Sequence, residues 1–118
     1  MEKTLTIDGN EVAFKASGAT PRIYRKMFLR DIFADMQTLT SNMSKGGELT
    51  VESLECFENI AYVMAYQANQ DIPDPDTWLD QFSMFSIYQI LPELITLWNL
   101  NEAQTEQPKK TAEEQSGL

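Results

Sequence analysis

FKASGATPRIYRKMFLRDIFAD, residues 14–35, holds a strand end, a turn and a helix start in one run. Ser17-Gly18 breaks the strand, and Thr20-Pro21 opens the helix. Thr suits the cap, where its oxygen takes a free N–H, and Pro suits the first helical position. The spacing predicts a helix from about Pro21 to Leu39. Tyr24, Phe28, Ile32, Met36 and Leu39 step by three and four and form its apolar stripe. Arg22, Lys26 and Arg30 form a second, basic stripe far round the helix, with Arg25 also nearby. Ile23 and Met27 lie off the main stripe, so the helix has apolar residues on more than one side. That second side meets either the preceding strands or another subunit.

Working outward toward the N-terminus, KTLTI (3–7) and EVAFK (11–15) alternate polar and apolar around Asp8-Gly9-Asn10. This reads as a β-hairpin, because Asp and Gly tolerate the positive φ of short hairpin turns. Toward the C-terminus, Ser41 to Gly47 has the composition of a polar loop. Thr50 then caps a helix running to about Ala68, with Leu54, Phe57, Ala61, Met64 and Ala68 as its buried stripe. Tyr62 and Tyr66 fall near Glu55 and Glu58, on either a partner surface or a solvated face. NQDIPDPDT (69–77) resembles a calcium loop only in its acid spacing; two prolines and a missing central glycine leave it a turn that caps the next helix. Asp76 or Thr77 is the expected cap of a short helix carrying Trp78, Leu79 and Phe82. The last helix begins at Ser83 or Ser86 and is apolar on most sides. It is expected to lie at the centre of the core or in an oligomer interface, with a kink at Pro92. Phe28, Phe57 and Trp98 are expected in the core.

The chain is thus mainly α, in an α+β arrangement: an N-terminal hairpin and a three- to four-helix bundle. One domain spans residues 1–100. Residues 101–118, which lack large apolar side chains before Leu118, are expected to form a disordered tail.

Charge is distributed unevenly. Four of the nine cations lie in the first helix, and from Gly46 to Pro108 there is no Lys or Arg. The net charge of −9 disfavours nucleic acid and anionic membranes. No apolar run approaches the ~20 residues of a membrane span, and no signal-peptide core follows Met1. With no histidine and one cysteine, Cys56, the commonest general base and metal ligands are lacking. No phosphate-binding or nucleophile-elbow motif is present. The expectation is a binding or assembly role, with no enzyme activity, no catalytic residue, no cofactor and no metal. The acidic balance also admits a DNA-mimicking or inhibitory phage protein that binds a host protein.

Three blocks carry a family resemblance: FKASGATPRIYRKMFLRDIFADM from Phe14, LECFENIAYVMAYQAN from Leu54, and IPDPDTWLDQFSMFSIYQILPELITLWNLN from Ile72. In order and spacing they resemble tail assembly chaperones of long-tailed phages and prophages of Gram-positive bacteria, over roughly residues 11 to 101. The resemblance implies a protein of the bacterial host cytoplasm, absent from the mature virion. It would bind and shield the tape measure protein while the tail tube polymerises. The partners it implies are the tape measure protein, further copies of the chain, and a longer form made by programmed frameshifting. This chain would be the short form, with slippage near Pro108-Lys109-Lys110. From the residues themselves, Arg22, Lys26, Arg30, Tyr62 and Tyr66 are the candidate contacts for partner binding or self-association.

Overall fold

The computed structural model describes residues 1–44 and 50–106. Strands β1 (Glu2–Ile7) and β2 (Asn10–Lys15) form an antiparallel hairpin. Five helices follow: α1 (Thr20–Phe28), α2 (Ile32–Ser44), α3 (Val51–Ala68), α4 (Pro75–Leu79) and α5 (Leu91–Glu106). A short 3-10 helix, Ile87–Ile90, leads into α5. The fold is α+β and predominantly helical, as the sequence implies. One helix beyond the expected four arises because the first is split.

The hairpin closes where its sequence indicates. Asp8 (φ 54°) and Gly9 (φ 81°) both take left-handed conformations, and Ile7 pairs with Asn10 across them. That is the two-residue turn whose twist matches paired strands. Alternation puts Leu5, Ile7, Val12 and Phe14 on one face, and Ile7 and Phe14 are fully buried. The ladder ends at Met1, whose amine donates to the Ala16 carbonyl at 2.9 Å.

The first helix departs from its predicted course. It stops at Phe28, because Leu29 turns left-handed (φ 58°, ψ 40°) and its N–H closes on the Arg25 carbonyl. A new helix starts after Asp31, whose carboxylate accepts the N–H of Phe33 at 2.9 Å. The cause is tertiary. Tyr24 Oη donates to Asp35 Oδ2 at 2.6 Å, yet in one continuous helix these residues would sit about 16 Å apart along the axis. The break folds α2 back so that they meet. A left-handed leucine costs about 1–2 kcal/mol, which the Asp35 contacts offset. The apolar stripe survives the break: Tyr24, Ile32, Met36 and Leu39 are buried and Phe28 is half-buried. Ile23 and Met27 are half-buried against the same core.

Thr20 is the first helical residue rather than the cap. It is buried, accepts the Ser17 N–H at 2.9 Å, and donates to Gln67 on α3. Helix α2 continues through Ser44, so the first four residues of the expected polar loop, 41–44, are helical; residues 45–49 lie outside the described residues.

Helix α3 spans the residues its pattern indicates, and Thr50 Oγ1 accepts the Ser53 N–H as its cap. It is also the centre of the molecule. Six consecutive residues, Ile60–Ala65, are buried, which requires neighbours on every side. Packing against β2, α1, α2 and α4 supplies them.

The sequence left the last helix either at the centre of the core or in an oligomer interface, and the centre is not where it lies. In α5 only Leu91, Leu94 and Leu97 are buried among the described side chains, a single stripe. Trp98 is half-buried, not part of the closed core. Pro92 makes no mid-helix kink: it lies in the first turn of α5, where the N–H it lacks has no helical partner to lose. The cap of α4 is Asp74, two residues earlier than expected, and it accepts the Thr77 N–H and hydroxyl. Helix α5 runs past Asn101 to Glu106, beyond the expected domain end. Residues 107–118, with the tail and slippage site expected there, lie outside the described residues.

Candidate partner-binding surfaces

The five candidate contact residues do not form one surface. Arg30 is committed within the fold. Its Nε donates to Asp35 Oδ2 at 2.7 Å and its Nη2 to Asp35 Oδ1 at 2.8 Å, a two-pronged pair. Asp35 is only 4% exposed, so the pair with Tyr24 satisfies a carboxylate that would otherwise be stranded. The Arg30 hydrogen bonds hold the Asp35 carboxyl below its usual range, outweighing burial, and the Tyr24 bond adds to them. Burial and then the Asp35 bond push the Tyr24 hydroxyl well above its ordinary value. Cys56 faces the same cluster; burial, then the Asp35 charge, push its thiol up to about 11. A thiol so buried and so protonated is a structural residue. This cluster locks α1 and α2 onto α3.

Tyr62 is also spoken for. It is 4% exposed, and its hydroxyl donates to the Pro73 carbonyl. Its ring meets Phe28 at 6.4 Å and Trp78 at 5.6 Å edge-on, and stacks on Tyr66 at 6.2 Å. It belongs to the core and leaves the list of partner contacts. Its position near Glu55 and Glu58 suggested a polar face, but Trp78 of α4 and the Pro73 carbonyl meet it there. Tyr66 remains half-exposed beside it.

What is left of the basic stripe is Arg22 and Lys26, both exposed, joined by Arg25. The i, i+3, i+4 spacing of 22, 25 and 26 puts the three on one face of α1. Among the described residues none of them has an ion pair; the two pairs present are Arg30–Asp35 and Lys3–Glu93.

Large exposed apolar side chains are the feature that the sequence reading missed. Leu29 is 88% exposed, Val51 84%, Met84 and Phe85 74% each, and Phe33 55%. Phe33 meets Trp98 edge-on, with ring centroids 5.4 Å apart. With Met36, Gln37, Thr40 and Asn99 these two rings line a groove of about 320 Å³ between α2 and α5. Met84 and Phe85 lie on the loop between α4 and the 3-10 helix. Asp8 at the hairpin tip holds that loop: Ser83 N donates to Asp8 Oδ2 at 2.7 Å, and Ser86 Oγ to Asp8 Oδ1 at 2.5 Å. The Ser86 hydroxyl and then the Ser83 N–H keep the Asp8 carboxyl below its usual range.

No family model, curated protein or solved structure matches this chain. No helix among the described residues is long and apolar enough to cross a membrane.

Proposed function

We propose that this chain is a phage tail assembly chaperone, in its short form. It binds and shields the tape measure protein while the tail tube polymerises, and it acts without catalysis or a cofactor in the cytoplasm of the bacterial host. The observation that carries this reading is a stiff helical scaffold with Leu29, Phe33, Met84 and Phe85 held in solvent. Exposed apolar patches mark contact sites, and here they lie in more than one place: Phe33 beside Trp98 between α2 and α5, and Met84 with Phe85 on the loop before the 3-10 helix. A tape measure protein is long and apolar-rich before the tube encloses it. Many small subunits, each binding weakly, would cover it by avidity. The cations Arg22, Arg25 and Lys26, free of ion pairs among the described residues, suit an acidic counterpart. A longer, frameshifted form would share the chain through Pro108-Lys109-Lys110 and differ from about Thr111.

Co-expression tests the proposal. The tape measure protein of the phage or prophage that encodes this chain should stay soluble and co-purify when the chain is present, and precipitate when it is absent. Unchanged solubility with and without the chain would overturn the reading.

A further inference from the structure

The hairpin has two outer edges, and only one of them is open. Met1 and Ala16 exchange both backbone hydrogen bonds, each 2.9 Å long. In an antiparallel pair such bonded rungs alternate with unbonded ones, so Lys3–Phe14, Leu5–Val12 and Ile7–Asn10 are the other bonded rungs. The N–H and C=O groups of Thr4 and Thr6 therefore point away from β2, and those of Glu11 and Ala13 point away from β1. None of these four residues has a further backbone partner among the described residues. The β1 edge is bridged at both ends: Lys3 reaches Glu93 on α5, and Asp8 holds Ser83 and Ser86. Among the described residues no side-chain bond leaves Glu11, Val12 or Ala13, so the β2 edge is unobstructed.

Beside that edge lies a slot of about 370 Å³, between β2 and the connection from α3 to α4. Its apolar lining is Ala65 and Trp78, both buried, with Val12, Ile72 and Phe82 half-buried. Two exposed carboxylates, Glu11 and Asp71, line it with no cation, and neither has an ion pair among the described residues. The slot suits a strand better than a helix. A paired strand lies about 4.8 Å from its neighbour, whereas a helix with its side chains is about 10 Å across. Alternation sends every second side chain of such a strand toward the apolar lining and the others to the Glu11 side of the sheet. Opposite charges on neighbouring strands attract and like charges repel, so the carboxylates select a cationic strand. The β2 edge of a second copy is a poor occupant, because it carries its own α3–α4 wall along the same edge.

We infer that β2 binds an extended segment of another protein as a third strand, one that alternates aliphatic residues with Lys or Arg. Glu11 and Ala13 each supply a backbone donor and acceptor, which give affinity without regard to sequence. The slot takes the aliphatic side chains, and Glu11 and Asp71 meet the cations. Specificity thus comes from the pattern of the segment. None of Leu29, Phe33, Met84 and Phe85 lines this slot, so the inference goes beyond the chaperone reading and stands independently of it.

Amide NMR and hydrogen exchange on the full chain test it, with two synthetic probes: acetyl-Lys-Val-Lys-Val-Lys-amide and its Glu-for-Lys counterpart. The basic probe should shift the Glu11 and Ala13 amides and slow their exchange at least tenfold. The acidic probe should bind at least tenfold more weakly. Ala13→Pro removes only an outward N–H, which an edge strand tolerates, and should abolish binding. Thr4→Pro, the matching change on the β1 edge, should leave binding intact. Glu11→Lys combined with Asp71→Lys should reverse the preference between the probes. Both sites are exposed, so this variant decides the matter should Ala13→Pro fail to fold. Equal binding of the two probes, loss of binding in Thr4→Pro, or no shift at about 1 mM basic probe overturns the inference. So does protection of the Glu11 and Ala13 amides without any probe: at every dilution it would mean that a segment of this chain fills the slot, and only at high concentration that a second copy does.

Discussion

Helix α3 and the α1–α2 pair have similar sequence patterns and opposite outcomes. Both show apolar residues every three or four positions. In α3 the pattern runs unbroken from Val51 to Ala68. In α1–α2 the same period crosses a complete break at Leu29 without losing register, so the stripe stays buried while the helix does not continue. Hydrophobic period reports which face is covered. It does not report continuity, because a chain that folds back can bury the same stripe in two pieces.

The sharpest way to break this comparison is truncation in the central helix. Phe57→Ala and Tyr62→Ala should each cost about 3–5 kcal/mol in urea unfolding, since both rings are closed in by neighbours. Phe28→Ala, half-buried at the end of α1, should cost less. Equal losses at all three would mean that α3 is not the centre of the fold.

Removing the charge that holds the break comes next. Asp35→Asn leaves Arg30 without its pair and should cost about 2 kcal/mol, a figure lowered by the partial exposure of Arg30. The carboxyl is held below its unfolded value, so its contribution is fully present above about pH 4 and is lost as pH falls further. Acid titration of stability should therefore be steeper for wild type than for Asp35→Asn below about pH 4. Parallel curves would show that the bond contributes nothing.

Glycine substitution should give opposite signs in the two regions. Ala61→Gly, inside α3, should destabilise by about 1 kcal/mol. Leu29→Gly should stabilise by about 0.5–1 kcal/mol, because glycine takes a left-handed φ freely and little buried surface is lost. A destabilising Leu29→Gly would place the cause of the break elsewhere.

The smallest effect is expected at the exposed Lys3–Glu93 pair, which joins β1 to α5. Glu93→Gln should change stability by less than about 1 kcal/mol, and salt should mask even that. Thermal melts at low and high salt would resolve it.

Much of the fold was readable because its causes are local. Asp8-Gly9 demands a tight turn, Thr50 caps α3, and the alternation in β2 puts Phe14 inside. What could not be read has causes that are distant in sequence. Nothing around Leu29 is a helix breaker; Tyr24 and Asp35 impose the break from either side. Leucine and isoleucine made α5 look more central than α3, whose alanines and tyrosines were placed inside by the elements around them. The candidate surface was the least legible part. Arg30 and Tyr62 are ordinary surface residues by type; Asp35 ties the first down while leaving it partly exposed, and the second is buried with its hydroxyl on Pro73. Met84 and Phe85 are ordinary core residues by type and were turned outward by two serines bonded to a carboxylate far earlier in the chain.

That carboxylate also has a kinetic consequence. The hairpin tip and the loop it secures are 75 positions apart. Contacts of such high order close late, because most of the intervening chain must be ordered before they form. The apolar pair thus acquires its fixed pose at the end of folding. A half-folded chain offers loose hydrophobic residues, and only the finished fold displays Met84 and Phe85 in their fixed pose.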